Sequence, residues 1–548
     1  MKSSYCQAVI IRCLLCCICG AMVFSCGTRA RSGRQVFRYN QQEGIATLDP
    51  AFAKNQSIIW AVRQLFNTLV EPDSQLEIRP SLAKGWEVSA DRRTYTFHLR
   101  SDVYFHDSEI FPGGKGRHMT AADVVYSLRR IMDPATASPG AWIFNGRVDP
   151  AKGFLALDDS TFQLTLRAPF HPILGILSMQ YCSVLPHEAI SRYGKDFGRH
   201  PVGTGPFRFH VWDEGQALVF HKNTRYFEQD SAGQHLPYLD AVQVSFLENK
   251  ATEFLLFRQH QLEFMNDIDA SFKDEVLTKQ GRLKKEWEGR MRLSKSPYLN
   301  LEYFGILMDG EKEIVRRSPL RLQKVRQAIN YGIDRTKMMT YLRNSIGRPA
   351  NAGFVPPGLP SFDADKVKGY SYDPARARQL LREAGFPEGK DLPPIRLLSI
   401  PNYADMANYV ANQLQEIGIR LQVEVVQKSL LLEQTAKSEA LLFRASWIAD
   451  YPDAESYLAM FYSRNPAPPN YTRYANPSVD KLYEQALQQE EDSIRYRLYQ
   501  RIDSTVMADA PLIPLFYDEV IHFIQPEVEG LASNGLNLLE LRRVRVRQ

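Results

Sequence analysis

Residues Ile395–Val426 limit the architecture more than any other stretch. Ile395–Ile400 is a short apolar run of strand length, Ala404–Ile417 repeats apolar residues at helical spacing, and Ile419–Val426 is a second strand-like run. A strand, helix and strand joined by short connections place the two strands side by side and parallel, with the helix on one face. The apolar run Leu441–Phe443 is expected to join this sheet. The residues after it, Arg444, Trp447, Asp450, Tyr451, Pro452 and Asp453, mix charges with aromatic rings before proline ends the regular structure. Ligands on open α/β sheets lie off the carboxyl ends of such strands, which makes Trp447 and Asp450 candidates for a binding wall. Asp453 follows proline in a turn and is expected to be a local cap.

The rest of the chain has a different texture. Val36–Tyr39 reads as a strand, followed by an amphipathic helix with Ile58, Val62, Leu65 and Leu69 on one face, stopped near Pro72. Arg93–Arg100 and Thr161–Arg167 alternate apolar and polar residues as half-buried strands do. Thr120 and Asp123 form a capping box that opens a helix ending at Pro134. The glycines of the 201–207 segment are expected to serve tight turns, and Gly113, Gly114 and Gly116 lack the spacing that cradles phosphate. Asp373 and Pro374 open a helix that closes at Gly385, and the last strand is expected over Leu512–Tyr517. At 548 residues the chain exceeds a single ordinary core, so two or three domains are expected, mixed α+β before about residue 300 and α/β after it.

Lys2 and Arg12 precede an uncharged run from Cys13 to Phe24, the length of a signal-peptide core and short for a membrane span. The segment Val23-Phe24-Ser25-Cys26 resembles the lipobox of bacterial lipoproteins, although Phe24 is bulkier than the usual residue. That resemblance implies cleavage before Cys26 and lipid on its thiol. Of seven cysteines, five fall in the segment to be removed, where C-x-x-C spacings reflect small apolar side chains; the mature chain keeps Cys26 and Cys182, so no intrachain disulfide is expected. The net charge of +5 is dispersed, with no basic arm to point to nucleic acid. A basic terminal run, Arg542, Arg543, Arg545 and Arg547, reads as a solvated strand edge or a contact to a membrane or a membrane-bound partner. No G-x-S-x-G or H-E-x-x-H motif suggests a hydrolase, and His98, His106, His118, His171 and His187 show no paired metal-ligand spacing.

Eight short blocks occur in one order: Thr47–Ala51; Pro80–Trp86 with Asp91 and the strand to Arg100; Thr120–Ser127; Pro201–Phe207; Val325–Tyr331 with Asp334 and Arg335; Tyr372–Pro374; Glu383–Gly385; and Trp447–Asp453. Together they resemble solute-binding protein family 5, the peptide-, oligopeptide- and dipeptide-binding lipoproteins of ABC importers.

The resemblance implies an α/β, two-lobed periplasmic-binding-protein fold of type II, with an extra α+β subdomain in the first lobe and the ligand cleft between the lobes. The expected divisions are a signal peptide at 1–25, a lipid-anchored linker at 26–33 and lobe I in parts at 34–69, 196–295 and 511–548. The subdomain would occupy 70–195 and lobe II 296–510. The implied function is extracytoplasmic capture of peptides and delivery to an ABC permease, by a non-catalytic monomer without cofactor or metal, lipid-anchored through Cys26. Asp450 would receive the ligand's α-ammonium, Arg444 could reach a carboxylate, Trp447 would line the pocket, and Ala53–Gln56 would border the cleft. A free peptide is a zwitterion, which suits one anion and one cation in a dry cleft. A metal chelate, haem or oligosaccharide receptor on the same fold, a peptidase, and a sensory receptor remain the alternatives.

Overall fold

The computed structural model describes residues 33–489 and 491–547. The expected signal peptide, the expected linker before residue 33 and Cys26 lie outside the described residues. Among the described residues, no helix is long and apolar enough to cross a membrane.

Most strands belong to one eleven-stranded sheet whose two ends form the two lobes. At one end Val36–Asn40 lies parallel to Ala241–Ser245 and to Phe264–Asn266, and an antiparallel ribbon of Ala217–Lys222 and Phe207–Asp213 extends the edge. At the other end Ile395–Ser399 is parallel both to Leu421–Val425 and to Leu442–Ile448, which is the predicted β-α-β arrangement with the next strand added. Helix Ala404–Gln415 covers it through Met406, Ala407, Val410 and Leu414.

Two long antiparallel strands, Arg292–Ile306 and Leu512–Ile524, join the ends. Their pairing runs from Arg292–Ile524 to Pro297–Glu519, breaks, and resumes at Leu301–Tyr517. The break removes ladder hydrogen bonds at Tyr298–Asn300, the point where the chain passes from one lobe to the other, and it gives the crossing a place to bend. The second of these strands is longer than the Leu512–Tyr517 expected from sequence and is not the last strand, since Val528–Glu529 and Arg545–Val546 pair after it; its second half, Asp518–Ile524, returns to the first lobe by pairing with Phe264–Asn266.

A separate antiparallel sheet, in the order Ala83–Val88, Thr94–Leu99, Thr161–Thr165, Phe154–Asp158, carries helix Ala121–Met132. Phe97 opposes Phe162, and both are fully buried in a core continuous with that of the first lobe. Thr120 and Asp123 form the capping box, and Arg130 from the same helix grips Asp49 through two hydrogen bonds of 2.9 and 2.6 Å, so the acid of the Thr47–Pro50 turn has a structural partner.

Three expectations need correction. The first helix spans Gln56–Leu65, short of Leu69, because the 201–207 turn seats against its end. The Gly205 N–H donates to the Leu65 carbonyl at 2.9 Å, and a Cβ on Gly203 would stand 2.2 Å from that oxygen. The glycines thus permit close packing and do not serve a positive φ. The basic C-terminus is only partly a solvated edge: Arg542 is enclosed by Glu71, Glu228 and Glu540 and Arg545 stacks over Tyr238, while Arg543 and Arg547 stay exposed beside Glu228 and Glu529. Cys182 is buried, its thiol donating to the Ile176 carbonyl at 3.4 Å.

Candidate functional site

Between the two ends of the sheet lies a cavity of about 580 Å³, the size of a small-ligand site. Its position follows from topology. Asn40 and Asn266 end two parallel strands of the first lobe, and Ile448, Ala449 and Asp450 follow the end of a strand that runs parallel to Ile395–Ser399 in the second. On both lobes the ligand space therefore opens off carboxyl ends of parallel-paired strands. Ala53, Lys54, Asn55 and Gln56 also line it, and Asn55 is held as the N-cap of its helix by accepting the Ile58 N–H. Tyr298 enters from the break in the crossing strands.

Asp450 faces this cavity across a rigid turn. Its N–H donates to the Ser456 hydroxyl at 3.2 Å, while the Trp447 indole N–H donates to the Ser456 carbonyl at 2.7 Å. One short helical segment thus anchors both. The next residue, Tyr451, is buried, donates to Glu455 and packs against Gly175 of the opposite lobe, where an added Cβ would lie 3.2 Å away. Asp453 accepts the Glu455 N–H at 2.8 Å, the local capping expected of it. Among the described residues no cation pairs with the Asp450 carboxylate, and desolvation, with the charge of Glu455 adding to it, pushes its carboxyl up to about 6. A carboxylate left without a cation in a cleft wall is poised to take one from a ligand.

Arg444 is placed differently. It bonds to Glu302 at 2.5 Å, its guanidinium lies 3.6 Å over the Tyr403 ring, and Tyr403 donates to the same carboxylate at 3.0 Å. Burial raises the Glu302 carboxyl, and Arg444 opposes that shift. Asn300 bridges Glu302 and Asp518 at 3.4 and 3.3 Å, and Asp518 pairs with Arg343 at 2.7 Å, so the network reaches both crossing strands. Neither Arg444 nor Trp447 contributes to the cavity wall; of the three residues singled out from sequence, Asp450 does.

Ala53–Gln56, expected to border the cleft, does line it, and the wall also includes residues no sequence signal marked: Lys250, Lys428, Glu253, Tyr181 and Asn537. Lys250 and Glu253 stand one helical turn apart, a spacing that any solvated helix face also shows. Among the described residues, the group of histidine and carboxylates close enough for a metal is Asp123, His187 and Glu188, and Arg117 already bonds to both of its carboxylates.

The comparisons agree with this geometry. Residues 77–468 match the bacterial extracellular solute-binding proteins, family 5 (middle region). The glutathione-binding protein GsiB of Escherichia coli O157:H7 is 27% identical, the match covering 87% of each chain. The periplasmic binding protein DppA of Helicobacter pylori, solved with the peptide STSA, superposes with a TM-score of 0.75 at 25% identity, covering 94% of this chain and 99% of that one. HbpA2 of Haemophilus parasuis shares the fold with a TM-score of 0.80 at 22% identity, over 94% of this chain and all of the other. With the family match running through the second lobe to the wall that carries Asp450, and with two lobes about one cleft, the chain belongs to the family 5 solute-binding proteins, the substrate receptors of ABC importers.

Proposed function

We propose that this protein is an exported lipoprotein that captures short peptides between its lobes and hands them to an ABC permease, without catalysing any reaction. The observation that carries the reading is Asp450: a carboxylate with no cation among the described residues, facing an inter-lobe cavity of about 580 Å³. A peptide's α-ammonium supplies the missing partner, and in a closed cleft such a charge-assisted bond contributes about 1.5–3 kcal/mol. The relatives support the ligand class, since one is named for binding a tripeptide, glutathione, and another was solved with a tetrapeptide. Strand ends on both lobes offer the extended backbone that holds a peptide main chain loosely as to sequence.

In this reading the ligand's carboxylate meets one of the wall lysines, Lys54, Lys250 or Lys428, none of which is ion-paired among the described residues. Arg444 reaches a ligand only by leaving Glu302, and Trp447 acts by shaping the Asp450 turn. The lobes divide at 34–69, 196–295 and 511–548 for the first and 296–510 for the second, with 70–195 as the subdomain. The protein works as a monomer, tethered by lipid on Cys26; replacing Cys26 by serine should move it from the membrane to the soluble fraction.

The decisive test is mass spectrometry of molecules that co-purify with the mature protein, beside Asp450→Ala. Peptides on the wild type and none on the variant support both class and anchor. Peptides on both remove Asp450 from the site. A sugar or metal complex, with no peptide on either, overturns the reading.

A further inference from the structure

Glu253 is the most buried carboxyl of the cavity wall, 5% exposed, against the exposed Glu43 and Asp450. It sits in the first turn of helix Lys250–Arg258, and Lys250, one turn earlier on the same face, also lines the cavity. Yet among the described residues the two form no ion pair, and Glu253 has no other cation in contact. A buried carboxyl is ordinarily paired or metal-bound. Here the open side is ligand space.

We propose that Glu253 is a second ligand-reading carboxyl of the cleft, which takes a cationic side chain of the bound peptide while Asp450, on the opposite lobe, takes its α-ammonium. The inference rests on the peptide reading above and adds a preference to it: peptides carrying lysine or arginine over those with neutral or acidic side chains. An ammonium arriving from the ligand provides what Lys250 does not, a direct charge partner at the buried carboxylate.

The surroundings set the pH dependence. Burial lifts the Glu253 carboxyl to about 7; Lys250 on its own helix and a hydrogen bond with Asn40 at the neighbouring strand end pull it down, and Asp267 pushes it up. Glu43, Lys54, Lys428 and Asp450 complete the charged wall across the cavity. A ligand cation needs the deprotonated form, so the preference for basic peptides grows as pH rises through about 7.

The experiment is calorimetric titration of wild type and Glu253→Gln with tri- and tetrapeptides of alanine, each bearing at one position lysine or its uncharged counterpart norleucine, at about pH 6 and about pH 8. For at least one position the wild type should bind the lysine peptide about tenfold more tightly than the norleucine peptide at the higher pH, and less selectively at the lower. In Glu253→Gln the ratio should fall to within about twofold, with the norleucine peptides still bound, which shows the variant folded. An unchanged ratio in Glu253→Gln, or no lysine preference in the wild type, overturns the assignment while leaving the peptide reading intact. If no peptide of the set binds the wild type, the peptide reading itself fails, and this inference with it.

Discussion

The floor of the second lobe and the loop that leaves it treat charge in opposite ways. Arg444 and Asp450 belong to one short segment, but the arginine is enclosed by Glu302 and Tyr403, and the aspartate faces the cavity with no cation among the described residues. Arg542 near the C-terminus repeats the first pattern, matched by three carboxylates and largely enclosed. Charges satisfied within the fold hold it together, and a charge left unsatisfied at a cavity is the one available to a ligand.

The comparison breaks most visibly if Glu302 is truncated. Glu302→Ala leaves a guanidinium buried with no anion and should destabilise the protein by about 3–5 kcal/mol in denaturant unfolding. The double replacement Glu302→Leu with Arg444→Met removes both charges and should recover most of that loss. If the single variant loses less than about 1 kcal/mol, the pair is not a structural one and Arg444 returns to the list of ligand groups.

Asp450→Asn sharpens the other side. Neutralising the anchor should weaken peptide binding about 10- to 100-fold by calorimetry while the unfolding midpoint stays close to wild type, because the carboxylate has no partner within the fold to lose. Loss of stability together with binding would place Asp450 with Arg444 instead of opposite it.

How far these roles were legible from sequence follows from the range of the interactions. The β-α-β unit could be read because its helix and strand periods are local, and the Asp373 and Thr120 caps because their partners lie three residues away. The crossing strands could not. Pro297 and Pro514 interrupt them, and Leu299–Ile306 is buried on both faces, so neither alternation nor length marks a single strand. The first helix was overextended because apolar residues continue past Leu65, while its stop comes from a turn some 140 positions on. Arg444 and Asp450 look equally free in sequence for the same reason: Glu302, which separates their fates, is 142 positions away. The place of Asp450 on the cavity wall was legible because it follows a strand end of the β-α-β sheet, whereas Lys250 and Lys428 were not, because nothing local distinguishes them from solvated lysines.

A pH series tests the comparison more finely. Desolvation and the neighbouring Glu455 push the Asp450 carboxyl of the free protein up to about 6, and the ligand's ammonium favours its anionic form. Affinity for a peptide with uncharged side chains should be highest between about pH 7 and 8, fall toward about tenfold per unit well below 6 as Asp450 is protonated, and fall again above about 8 as the ligand's α-amino group loses its proton. Asp450→Asn should flatten the acid limb. A wild-type profile that stays flat to about pH 5 would show that the anchor's charge is not what the ligand reads.

The smallest expected effect concerns Trp447, which stands between the two residues in sequence and shares a partner with Asp450. Its indole N–H donates to the Ser456 carbonyl, and the Asp450 N–H donates to the Ser456 hydroxyl, so the indole bears on the ligand through the turn it fixes. Trp447→Phe keeps an aromatic ring and removes the donor. It should cost about 1 kcal/mol of stability and change peptide affinity less than about threefold. A tenfold loss of affinity with stability unchanged would instead mean that the closed, ligand-bound cleft brings the indole onto the peptide. Trp447 would then belong with Asp450 as a contact residue, and the division drawn between floor and loop would have to run between Arg444 and Trp447.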